Sequence, residues 1–131
     1  MCDCKIKDLS QNLGTKQMKR LKLPTFMSQY FLLRKGLVKE YLWADKCLAD
    51  EIKYLWSKGI TTTGCCCGHN FGCPYIGVTD SSSDKMRKLG YKVQYNPFDP
   101  YYDNEFYPKS VKVELKFYIK NYLMSIFRIK K

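Results

Sequence analysis

The order of apolar and polar positions divides the chain into segments with two different periods. After Asp45, Leu48, Ile52, Leu55 and Trp56 fall at i, i+4, i+7 and i+8 with charged residues between them. That spacing lines up one face of an α-helix. Asp45 stands where an N-cap belongs and Gly59 where a left-handed residue ends a helix, so the pattern predicts a helix over 45–58. Further on, Val111, Val113, Leu115, Phe117 and Ile119 alternate with Lys112, Glu114, Lys116 and Tyr118. This period of two over residues 111–119 predicts a strand with one buried and one wet face.

Shorter stretches fill in the rest. Phe26, Met27, Tyr30, Phe31 and Leu33 follow Pro24 at helical intervals, predicting a helix that stops near Gly36. The β-branched run from Ile60 to Thr63 and the run from Tyr75 to Thr79 read as strands flanking a tight turn. Ser81 and Asp84 have the spacing of a capping box, opening a helix with Met86 and Leu89 inward and Gly90 at its end. Tyr91 to Tyr95 alternates as a strand, and residues 96–109 form a loop with three prolines and five aromatic rings. Tyr122 to Phe127, followed by Arg128, Lys130 and Lys131, reads as a basic amphipathic helix suited to packing, to a partner or to a membrane surface.

The expected architecture is one α+β domain, a small, mainly antiparallel sheet packed by helices, with a Cys/His-rich turn. A helical and basic region covers 1–44, an α-β-β-α-β-β core covers 45–120, and a basic tail covers 121–131.

Charge changes the picture by pointing to partners. The 131 residues carry 23 Lys+Arg against 12 Asp+Glu, a net charge of +11. Such a field attracts phosphate-bearing partners. Lys16, Lys19, Arg20 and Lys22 form the densest cationic run, read either as a phosphate-contacting face or as a solvated helix edge. Tyr95, Tyr101, Tyr102 and Tyr107 would supply rings for stacking beside it. No run approaches the roughly 18 apolar residues of a membrane span, and the start has no apolar leader, so a soluble, cytoplasmic protein is expected.

The candidate chemistry lies in the turn GCCCGHNFGC at 64–73, which holds four of the seven cysteines and the single histidine. Zinc takes four tetrahedral S or N ligands. Cys66, His69 and Cys73 are the first candidates, completed by Cys67, by Cys65, or by Cys2 or Cys4, whose i, i+2 spacing aims both one way on a strand. Two other readings stand beside the zinc. The cysteines can pack as small hydrophobes, as Cys47 does most simply on its helix, or a thiolate beside His69 can act as a nucleophile.

The run LWSKGITTTGCCCGH (55–69), with YIGV (75–78) and KLGY (88–91), resembles small phage-encoded proteins of unassigned function. These share a helix, a KGI-T strand, a CCxGH turn, a second strand and a following LGY. The likeness covers roughly residues 48–95 and implies a viral origin and a compact α+β unit, with no particular activity. The expectation is a non-catalytic binding protein with a zinc-stabilised turn. It would hold an anionic ligand, a nucleic acid or a host signalling nucleotide, and so act as a counter-defence factor. The alternatives are a protein-directed inhibitor or adaptor of a host defence enzyme, and a small Cys/His enzyme.

Overall fold

A computed structural model describes residues 18–67, 73–95 and 104–130. Its elements run β1 (Met18–Lys22), α1 (Thr25–Lys35), β2 (Tyr41–Asp45), α2 (Lys46–Ser57), β3 (Thr62–Cys66), β4 (Tyr75–Val78), α3 (Asp80–Lys88), β5 (Glu105–Phe106) and α4 (Leu115–Lys130). Among the described residues they make a single α+β domain. One antiparallel sheet pairs β1 with β2, and a second has the order β3-β4-β5.

The helix α2 is the centre of the fold. Its predicted stripe of Leu48, Ile52, Leu55 and Trp56 is buried, in one cluster with Leu21, Met27, Ile60, Ile76, Met86 and Phe106. Trp56 hides its indole N–H by donating to Thr62 Oγ1 at 3.0 Å, tying the helix to β3. The helix stops as predicted. Gly59 has φ of 76°, its N–H donates to Trp56 O, and the Ile60 N–H reaches back to Leu55 O at 3.1 Å. The end of α3 repeats this device, with Gly90 at φ 87° and the Tyr91 N–H on Met86 O. Both ends are Schellman motifs, whose left-handed position strains any residue with a Cβ.

The helix starts depart from expectation. Asp45 occupies the N-cap position of α2 but makes no side-chain cap bond. Its Oδ2 instead accepts the Cys67 N–H at 2.9 Å, pinning the end of β2 to the end of β3. The helix α3 begins at Asp80 without a side-chain cap, and Ser82 Oγ accepts the Thr61 N–H.

Two strand expectations change. Residues 91–95 lie antiparallel to β5 but contribute only one bridge, Val93 to Phe106, with flanking bonds from Gln94 N–H to Glu105 O and from Tyr107 N–H to Lys92 O. Residues 111–119 are not a strand: the chain is irregular to Glu114 and helical from Leu115. The end of the expected core is therefore β5 and α4. Two of the same residues also fit a helix, since Leu115 and Ile119 recur with Tyr122 and Leu123 at i, i+4, i+7 and i+8. What selects the helix is its contact with the open edge at 93–95. Asn121 accepts the Tyr95 N–H at 2.6 Å and donates to Val93 O at 3.0 Å, satisfying backbone groups that an edge leaves exposed.

A buried carboxylate closes the structure. Glu51 on α2 accepts from Ser110 Oγ at 2.5 Å, Tyr91 Oη at 2.6 Å, the Lys109 N–H at 2.8 Å and the Ser110 N–H at 3.0 Å. Burial alone would raise its pKa, yet these four donors hold it below the usual carboxylate range. No helix among the described residues is long and apolar enough to cross a membrane.

Candidate functional site

Strand pairing decides the fate of the cysteines. Cys65 and Cys66 are residues of β3, not of the hairpin tip, and pair with Ile76 and Tyr75. Successive strand residues point to opposite faces, so Cys65 shares the buried face of Ile76 while Cys66 takes the other. Burial pushes the Cys65 thiol up to about 12, with the neighbouring Asp45 charge adding to it. Burial likewise raises Cys73 to about 11, although its Sγ accepts a bond from Gln94 Nε2 at 2.9 Å. Cys67 is buried in the core cluster.

The zinc expectation is overturned. Among the described residues, no group of three or more His, Cys, Asp or Glu side chains could hold a metal ion. Cys66, Cys67 and Cys73 are not gathered, because the alternation of β3 and the burial of Cys67 separate them. The expected binding function loses its metal-stiffened turn with them. Cys2, Cys4 and His69, the other ligands considered, lie outside the described residues.

The aromatic candidates are also placed differently. Tyr107 is only 4% exposed. Its ring packs against Tyr118 at 4.7 Å between centroids, and its hydroxyl donates to Phe117 O. Tyr95 is half-buried, with its N–H held by Asn121. Tyr101, Tyr102 and Lys16 lie outside the described residues.

The basic run takes a clearer form. Lys19, Arg20 and Lys22 are exposed residues of β1, a strand and not the edge of a helix. On the β1–β2 pair, Leu21 faces Leu42 towards the core, while Arg20 opposes Trp43 and Lys22 opposes Tyr41 on the outer face. Two cations and two rings thus interleave on one surface. The Arg20 guanidinium sits 4.4 Å from the Tyr41 ring centroid, a cation–π contact that holds the diagonal pair in register. Trp43 remains 42% exposed and Tyr41 41% exposed. Lys19 lies on the other parity, opposite Ala44.

The segment that carries these strands is cationic throughout its length. Arg34 and Lys35 stand in the last turn of α1, and Lys39 lies 4.8 Å from the Phe31 ring. Between Met18 and Ala44 the chain carries six cations (Lys19, Arg20, Lys22, Arg34, Lys35, Lys39) against the single carboxylate of Glu40. Sequence reasoning missed Tyr41 and Trp43. The signal was there in YLWA (41–44), where two rings alternate with two aliphatic residues in the period of a strand.

Comparison with protein-family models, with curated proteins and with solved structures returns no match.

Proposed function

We propose that the protein is a binding module for single-stranded nucleic acid, with the outer face of β1 and β2 as its contact surface. The observation that carries this reading is the cross-strand alternation of Arg20 and Lys22 with Trp43 and Tyr41. Trp43 and Tyr41 stand two residues apart, roughly 7 Å along a strand. Rings so spaced offer separate stacking surfaces, each worth about 1–3 kcal/mol per base. The cations beside them neutralise the phosphates that join the bases, so affinity falls steeply with salt. A duplex buries the faces of its bases and offers such a surface only its backbone. The module therefore prefers single strands, with little dependence on base identity.

The test is fluorescence anisotropy of a labelled oligothymidylate and of a matched duplex, titrated with the full chain at several salt concentrations. Preferential, salt-sensitive binding of the single strand supports the reading. Absence of binding at low salt removes it.

A protein partner is a second reading. It is favoured by α4, where Leu115, Ile119, Tyr122 and Leu123 form an exposed apolar stripe on one face. A stoichiometric partner that survives nuclease treatment, and is lost on Ile119→Lys, distinguishes it.

A further inference from the structure

We propose that a second site, the cleft between the turn at Gly90 and the segment 107–113, binds a small phosphorylated aromatic ligand of nucleoside monophosphate size. This goes beyond the strand-binding face of β1 and β2, with which it shares no residue. The cleft encloses about 440 Å³, within the range of small-ligand sites. Its charged lining consists of three lysines, Lys92, Lys109 and Lys112, and no carboxylate is among the lining residues. A pocket whose lining charges are all positive favours an anion.

One of these ammonium groups is already held in place. Lys109 Nζ donates to Leu89 O at 2.7 Å and lies 4.4 Å from the Tyr91 ring centroid. Gly90, at φ 87°, makes the turn that brings Leu89 O to that nitrogen. Lys92 and Lys112 are exposed and can swing towards a bound group. The wall carrying Lys109 is fixed from behind, where Glu51 accepts the N–H groups of Lys109 and Ser110. Glu51 stays ionised behind this wall, so the cleft carries three cations in its lining against one carboxylate at its back.

The lining also supplies a ring. Tyr118 lines the cleft at 39% exposure and is backed by the buried Tyr107, which is anchored through its hydroxyl to Phe117 O. A partly exposed ring in the lining offers a surface on which a planar base can stack. Three lysines and an accessible ring in one lining match a ligand with a phosphate and an aromatic group joined by a short spacer. Inorganic phosphate or an unphosphorylated nucleoside satisfies only half of the site.

The experiment is isothermal titration of the full chain with adenosine 5′-monophosphate, adenosine and inorganic phosphate. It is repeated on Lys92→Ala/Lys112→Ala, Tyr118→Ala and Trp43→Ala, each checked by thermal melting. We expect the monophosphate to bind at least about tenfold more tightly than either fragment. The double lysine variant, which changes only exposed side chains, should weaken it by about tenfold or more, and Trp43→Ala should leave it unchanged. If Tyr118→Ala folds, it should weaken the monophosphate more than phosphate; if it does not fold, the double lysine variant decides. The proposal is overturned if the monophosphate shows no heat at low millimolar concentration, or if the double lysine variant binds it as well as the parent does. Loss of monophosphate binding in Trp43→Ala also overturns it, by placing the ligand on the strand face. Failure of oligonucleotide binding leaves the cleft proposal standing, since the two readouts use different residues.

Discussion

The Tyr91 hydroxyl and the Glu51 carboxylate meet at 2.6 Å inside the protein, joining the residue after the α3 terminus to the middle of α2 across forty positions of sequence. Each partner shows the bond from its own side. The Glu51 carboxyl is held below its ordinary range by Ser110, Tyr91 and the Lys109 and Ser110 N–H groups, which outweigh the rise from burial. The Tyr91 phenol is pushed well above its ordinary value by burial first, then by its bond to Glu51. A donor and an acceptor that stabilise each other's native protonation state give such a pair its sign.

That sign fixes an acid-stability prediction. A carboxylate with a lowered folded pKa adds stability above its unfolded value, about 4.3, and loses it as pH falls towards the folded value. In urea titrations the parent should lose stability below about pH 4, and Glu51→Gln should flatten that fall. Glu51→Ala leaves the buried Tyr91 hydroxyl and the part-buried Lys109 and Ser110 N–H groups without their acceptor and should cost about 1–3 kcal/mol at neutral pH. An unchanged midpoint for Glu51→Ala would show that the Ser110 segment does not dock on α2 as described.

The two Schellman ends make a second prediction. Gly59→Ala places a Cβ in the left-handed region at φ of 76° and should destabilise the protein by about 1–2 kcal/mol. Space does not decide this, since the nearest atom to the added carbon is Lys85 Nζ at 3.4 Å. Thermal melting of Gly59→Ala beside Gly59→Asn, which tolerates the conformation better, should rank alanine below asparagine.

The cysteines give a third. Thiols raised by burial to about 12 at Cys65 and about 11 at Cys73 are poor nucleophiles at neutral pH. Mass mapping after iodoacetamide treatment at pH 7.5 should find both largely unmodified in the native protein and readily modified in denaturant. Incubation with a chelator should leave the melting temperature unchanged. A chelator-induced drop would restore a metal to the account.

Much of the fold was legible, for local reasons. The stripe of Leu48, Ile52, Leu55 and Trp56 together with Gly59 defines α2 because a helix and its stop are written within one short segment. The ends at Gly36 and Gly90 were legible for the same reason. What escaped were features set by distant partners. The apolar residues of 111–119 fit a strand, while the helix from Leu115 is held by distant contacts, Asn121 with Val93 and Tyr95, and Tyr107 with Phe117 and Tyr118. In MKRLK (18–22) a single residue, Leu21, is buried, so β1 leaves almost no periodic trace. Residue type alone suggested zinc at the cysteine run. The pairing of Cys65 with Ile76 and Cys66 with Tyr75, which splits the run between two faces, cannot be read from spacing.

On the candidate surface, Arg20 and Lys22 were legible from charge, while Tyr41 and Trp43 needed the register of β1 on β2. That register makes Trp43 the most direct probe of the central claim. Its indole is 42% exposed, whereas Trp56 is buried and bonded to Thr62, so removing the Trp43 ring should leave the fold intact. The decisive measurement is the affinity of oligothymidylate for the parent, Trp43→Ala and Arg20→Ala across a salt series. The account predicts a loss of about 1–3 kcal/mol for Trp43→Ala with an unchanged salt slope. For Arg20→Ala it predicts weaker binding with a slope shallower by about 0.7. Binding of the parent that neither substitution alters, or no binding at low salt, would contradict it.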